Sequence, residues 1–160
     1  LWWDLHPKEI WRSADKLKKG YVEWLQKLQV PIFMQQAYGE IPAALRYPKE
    51  RIMAEYPWRY FTSQTAWMIA LALSEGVTHL GFFGIHYQMQ SEYARQRAGC
   101  EFWMGIAAGK GVQLVIPSGC PLLHEPNVLY GYESHKDGTW ALLDKSSMAG
   151  KALTVISQPE

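Results

Sequence analysis

Two adjacent hydroxyl residues, Thr62 and Ser63, stand directly before the apolar run Gln-Thr-Ala-Trp-Met-Ile-Ala-Leu-Ala-Leu-Ser. A helix opening there offers free N–H groups and a positive end, a natural seat for phosphate or carboxylate. The same pair also makes an ordinary helix cap, and the two roles are compatible. His86 and Tyr87 follow a second apolar segment, 78–85. A polar pair leaving a strand end can touch a ligand, and His86 is placed to act as a base; a loop histidine bonded to backbone is the plainer reading. Tyr93, Arg97 and Glu101 recur at helical spacing and share one face. Arg97 can clamp a phosphate or carboxylate, Tyr93 can donate its phenol to a leaving oxygen, and Gln96 adds an amide beside them. An intrahelical Arg97–Glu101 pair over a packed Tyr93 is the alternative, with Arg95 turned to solvent. Asp4 and His6, just before Pro7, can hold a ribose hydroxyl or a base edge, or simply serve the turn. Trp58, Tyr60 and Trp103 can supply stacking platforms or ordinary packing.

These residues need elements to carry them. Residues 1–7 read as a strand running into a turn at Pro7. A helix is expected over 13–28, capped by Ser13, with Leu17, Val22, Leu25 and Leu28 at helical spacing. Lys16, Lys18 and Lys19 then form a solvated face, a phosphate site being the lesser reading. The run 30–34 suits a buried strand with Pro31 near its start. Residues 35–47 read as loop, and 48–55 as a short helix with proline in its first turn. The helix Gln64–Ser74 ends before Gly76. A strand follows over 78–85, a helix over 92–108 ending in Gly109-Lys110-Gly111, and a strand over 112–116. Residues 118–160 are loop-rich, with an apolar piece at 152–156. Strands without polar alternation, separated by helices, predict an α/β Rossmann-like three-layer fold with a mostly parallel sheet. A domain over 1–133 and a tail over 134–160 are expected. The abrupt strand at the first residues suggests a further N-terminal strand upstream.

In such a sheet, ligands bind beyond the carboxyl ends of the strands. That rule selects the segments at 4–6, 35–38, after Ile85 and after Pro117, with the Thr62-Ser63 helix start reaching the same edge.

Composition narrows the classes. The chain has 160 residues, 48% apolar and 19% charged, enough apolar content for one sizeable core. Sixteen basic residues balance fifteen acidic ones, a net charge of +1, so no nucleic-acid-binding surface is implied. No stretch reaches the roughly 18 apolar residues of a membrane span. Cys100 and Cys120 lack zinc spacing and make no disulfide framework; a reduced, cytoplasmic setting fits, with one bridge left open. The five histidines are scattered without metal-ligand spacing, and the sequence leaves cofactor and metal dependence open. Gly105 to Gly111 falls one residue short of a phosphate-binding loop and lacks Ser or Thr after Lys110. There is no G-x-G-x-x-G, H-E-x-x-H or G-x-S-x-G.

The stretch Tyr60-Phe-Thr-Ser to Gly76, then His79-Leu-Gly-Phe-Phe-Gly-Ile-His86, resembles a Rossmann-like group. The group contains 6-hydroxymethylpterin diphosphokinase-like proteins and bacterial lipooligosaccharide sialyltransferases. In it a Thr-Ser pair opens an apolar helix, and a glycine-containing strand ends in Gly-Ile-Asp or Gly-Val-Asp. The likeness continues through Glu92-Tyr93, Cys100-Glu-Phe-Trp-Met-Gly and Gly111-Val-Gln-Leu-Val-Ile-Pro117 to Pro121-Leu-Leu123. It spans about residues 1–133, strongest at 60–123, and extends to short phage and prophage proteins. It implies a nucleotide or nucleotide-sugar ligand, with Thr62 and Ser63 on the nucleotide and Tyr93 near its phosphate. His86 stands where the group usually has aspartate. A phage-encoded glycosyl or phosphoryl transferase is the leading expectation. The rivals are a non-catalytic protein that sequesters a nucleotide, and a phage assembly protein whose tail and aromatic surplus serve homo-oligomer contacts.

Overall fold

The computed structural model describes residues 1–17, 19–87 and 92–124, except the side chains of 14–17 and 92. Leu1–Cys120 form one compact unit, and Pro121–Glu160 a second. In the second, the main chain turns at 121–124, where the His124 N–H donates to Pro121 O. The expected tail 134–160, its apolar piece and the Lys16 and Lys18 side chains lie outside the described residues.

The chain is mixed α/β. Strand β1 (Trp2–Asp4) is followed by helices α1 (Lys8–Leu17) and α2 (Tyr21–Lys27), then β2 (Ile32–Met34) and β3 (Ala44–Arg46). Helices α3 (Lys49–Glu55) and α4 (Gln64–Ser74) precede β4 (His79–Gly81), α5 (Glu92–Gly109) and β5 (Gln113–Val115). One sheet has the order β1-β2-β3 and the other pairs β4 with β5; every pairing is parallel. No helix of the described residues is long and apolar enough to cross a membrane.

Two expectations are corrected. The helix read over 13–28 is two helices, and Ser13 lies inside the first of them. Pro7 starts α1, its carbonyl accepting from the Ile10 N–H at 2.9 Å. Gly20, at φ +92°, turns the chain between α1 and α2 through a conformation that disfavours residues with a Cβ. The segment read as loop over 35–47 contains β3, whose three residues pair with β2.

Period-two alternation gives the first sheet one closed face and one partly covered face. Ile32, Met34 and Ala44 point to one side and join Trp11 of α1 and Leu25 of α2 in a closed core. Phe33 and Trp3 point to the other side, where Trp3 packs on Phe33 and Tyr47, and Tyr47 on Trp67 of α4.

Helix α4 starts as its sequence suggests. Ser63 Oγ accepts from the Ala66 N–H at 3.1 Å, the expected cap. Its far end closes where the Val77 N–H reaches back to Ala72 O and Gly76 adopts φ +74°. Helix α5 packs on α4 through the buried Cys100, Trp103, Met104 and Ala107.

Gly99 permits this approach, because a Cβ there would stand 1.9 Å from Thr62 Oγ1. Gly99→Ala therefore forces α5 away from the start of α4 and lowers unfolding free energy by about 2 kcal/mol. Urea denaturation measures it, and the loss is smaller in a Thr62→Ala background, where the obstructing oxygen is gone. Equal losses in both backgrounds would show that the close approach is not what the glycine serves.

Candidate functional site at the carboxyl edge

The carboxyl ends of β1, β2 and β3 open onto one cavity of ≈ 650 Å³. Leu5 follows β1, Gln35 and Gln36 follow β2, and Arg46 and Tyr47 end β3; all line it. Lys49 and Glu50 of α3 and the Trp67 ring of α4 complete the wall. This is the edge at which open parallel sheets bind ligands. Its polar groups are two cations, one carboxylate, two amides and a phenol, beside an indole.

Electrostatics fix some of these groups. Arg46 Nη2 lies 2.7 Å from Glu50 Oε1 one helical turn on. Glu50 is held below the usual carboxylate range, chiefly by its own backbone N–H and then by Arg46 and Lys49. The pair is exposed, so its net strength is small and a competing anion can replace the carboxylate on Arg46. Burial pushes the Tyr47 phenol upward, so it remains a donor, and its hydroxyl donates to Trp67 O at 2.8 Å.

Of the expected site residues, Thr62, Ser63 and Tyr87 meet the start of α4, and the others lie elsewhere. Asp4 is buried, accepting from Tyr21 Oη at 2.8 Å and lying 2.8 Å from His6 Nδ1. Burial, then Asp4 itself, pushes the Tyr21 phenol up to about 12, which keeps it protonated as a donor. Ser63 is committed to its cap. Thr62 Oγ1 donates to Arg95 O of α5 at 2.6 Å, so this hydroxyl ties two elements together. Tyr87 adopts φ +44°, unusual for a residue with a Cβ, and shares a 2.8 Å hydrogen bond with the Thr65 hydroxyl. Tyr93 lies beside the Tyr87 ring and is half exposed. His86 is exposed on the segment after β4.

Arg97 Nε donates to Glu101 Oε1 at 2.9 Å, the intrahelical pair that spacing four allows. Gln96 is partly buried on the same helix. Trp103 is fully buried, its indole N–H donating to Tyr60 O at 2.9 Å, so it packs the core and offers no stacking face. Trp58 and Tyr60 remain exposed, each edge-on to Phe102. Among the described residues, no three His, Cys, Asp or Glu side chains converge as a metal site.

Several residues that shape the site escaped the sequence reading. Gln64 Oε1 accepts from the Leu5 N–H at 2.9 Å, and its amide donates to Trp3 O at 3.3 Å. Gln35 Nε2 donates to Leu5 O at 2.9 Å. Arg46 ends the strand hidden in the expected loop, and Lys49 is the first residue of α3. Only the strand-end rule, applied to 35–38, pointed near them.

No family model, curated protein or solved structure matches the chain. The class the geometry defines is thus an α/β protein with a polar and aromatic cavity at the carboxyl ends of parallel strands.

Two outcomes follow from these contacts. Gln64→Leu strands the Leu5 N–H and the Trp3 carbonyl and lowers stability by about 2 kcal/mol, read by urea denaturation. Burial, then the Glu101 charge, pushes the Cys100 thiol up to about 12, so it stays a thiol near neutral pH. A thiol reagent at neutral pH leaves Cys100 unmodified in the folded chain and labels it once denaturant is added, as peptide mass spectrometry resolves.

Proposed function

We propose that this chain binds a nucleotide or nucleotide-sugar and acts as a phage-encoded transferase of glycosyl or phosphoryl groups on a Rossmann-like three-layer fold. The cavity shared by the carboxyl ends of β1, β2 and β3 carries the reading. Arg46 and Lys49 offer charge to a phosphate, Trp67 offers a ring to a base or sugar, and Gln35 and Gln36 offer amides to hydroxyls. The parallel pairings and the helices on both faces of the first sheet support the fold reading. The likeness at 60–123 supports the ligand class. The α4 start, with Ser63, adds a positive end beside the same edge. Tyr93 and Arg97 on α5, with His86 after β4, are the residues through which the second sheet would join the reaction.

A thermal-shift screen against nucleoside phosphates and nucleotide-sugars tests this reading. A member present at about 100 times its dissociation constant adds about 2.7 kcal/mol of stability, a rise of several degrees. Lys49→Ala and Arg46→Ala each weaken binding about tenfold, the loss of one charge-assisted contact. Unchanged affinity in both variants removes the cavity from the site. No shift with any member of the panel overturns the nucleotide reading.

A further inference from the structure

The end of β1 carries a second constellation beside the cavity. The Asp4 residue is 3% exposed, and its carboxylate accepts from Tyr21 Oη at 2.8 Å and from the His6 N–H at 3.2 Å. His6 Nδ1 lies 2.8 Å from Asp4 Oδ1. A carboxylate oxygen accepts, so in a neutral His6 this contact puts the imidazole proton on Nδ1 and leaves the Nε2 lone pair. The His6 side chain is 63% exposed, although its anchor is buried. The main chain between them is held from both sides: Leu5 N–H donates to Gln64, and Leu5 C=O accepts from Gln35. A simple turn before Pro7 needs one such bond. Here side chains from α2, from α4 and from the segment after β2 converge to fix an imidazole whose free nitrogen faces outward. Among the described residues no carboxylate holds the His86 ring in this way.

We infer that His6 is the general base of the carboxyl-edge site and that Asp4 positions it. The inference rests on the nucleotide-sugar reading for its substrate, and the acceptor is a hydroxyl of a sugar or of water. His6 Nε2 takes the hydroxyl proton as the oxygen forms a bond to the anomeric carbon of the donor. The bond from that carbon to the nucleotide phosphate oxygen breaks, and the phosphate keeps the electron pair. The imidazolium then releases its proton to solvent. Asp4 fixes the tautomer and stabilises the imidazolium without taking the proton.

Two measurements on the full chain test this. Long-range proton–nitrogen spectra of histidine-labelled protein, assigned with His6→Gln, read the tautomer. Neutral His6 protonated on Nδ1, shifting toward a tautomer mixture in Asp4→Asn, is expected; a proton on Nε2 in the unaltered chain overturns the inference, whatever the fate of the Asp4 variant. Nucleotide release from a panel of cytidine, uridine and guanosine nucleotide-sugars is then followed. His6→Gln lowers kcat about 100-fold or more while donor affinity stays within about twofold. A kcat within about threefold of the unaltered chain overturns the inference. Binding without release by the unaltered chain overturns the base alone. A chain that binds no nucleotide overturns the nucleotide reading, and the tautomer then decides whether the Asp4–His6 pair is poised for proton transfer.

Discussion

Six consecutive residues, 60–65, hold the first compact unit together, each by a different contact. Tyr60 O accepts the Trp103 indole N–H. The Phe61 ring lies between Trp67, at 3.6 Å and nearly parallel, and Trp103, at 4.7 Å. Thr62 ties to α5 through Arg95 O, Ser63 caps α4, Gln64 clamps the end of β1, and Thr65 holds Tyr87. Such a run stores little energy in any one bond. Its strength is that neutral hydrogen bonds worth about 1 kcal/mol each follow one another along 62–65, next to ring packing at Phe61 worth about as much again. Moving one of these partners disturbs its neighbours, so the carboxyl edge is fixed relative to the core behind it.

That rigidity bears directly on chemistry. A site assembled from strand ends and one helix start must hold its polar groups before a ligand arrives, or binding energy is lost to ordering them. Leu5 shows how this is done: both of its main-chain groups bond to side-chain amides, so the residues on either side of it have little freedom. The cations are treated differently. Arg46 faces Glu50 in solvent, and such a pair is easily exchanged for a ligand phosphate. The edge therefore combines fixed neutral donors with exchangeable charge.

Much of this was legible in the residues, for physical reasons that also mark what was not. Helix α4 is bounded by Ser63 and Gly76, and the apolar run between them has no second solution. The Arg97–Glu101 pair follows from spacing alone. Asp4, His6 and Ser63 stand at the strand end and helix start to which the strand-end rule points. Strand β3 was missed because three residues between Pro42 and Pro48 alternate too briefly to show a period. The break at Gly20 was missed because Ser13 looked like a cap, while Pro7 had already started α1. Gln35 and Gln64 carried no local signal: a glutamine's partner is decided by the tertiary path, and both act on a residue far away in sequence. The expected platform at Trp103 failed for the same reason, since only the tertiary packing on Tyr56 and Phe61 shows that its ring is enclosed.

Strand geometry adds a last constraint on the site. Asp4 turns toward Tyr21 and the α1–α2 layer and holds His6 there, whereas Leu5 lines the cavity on the side of Tyr47 and Trp67. The imidazole, in the bend that follows β1, is thus not among the residues lining the cavity. A molecule that fills the cavity and is acted on by His6 has to straddle the edge of the sheet. A small single-centred ligand would have no need of both sides. Under the proposed function, a donor with a phosphate at one end and a reacting sugar at the other would span that edge.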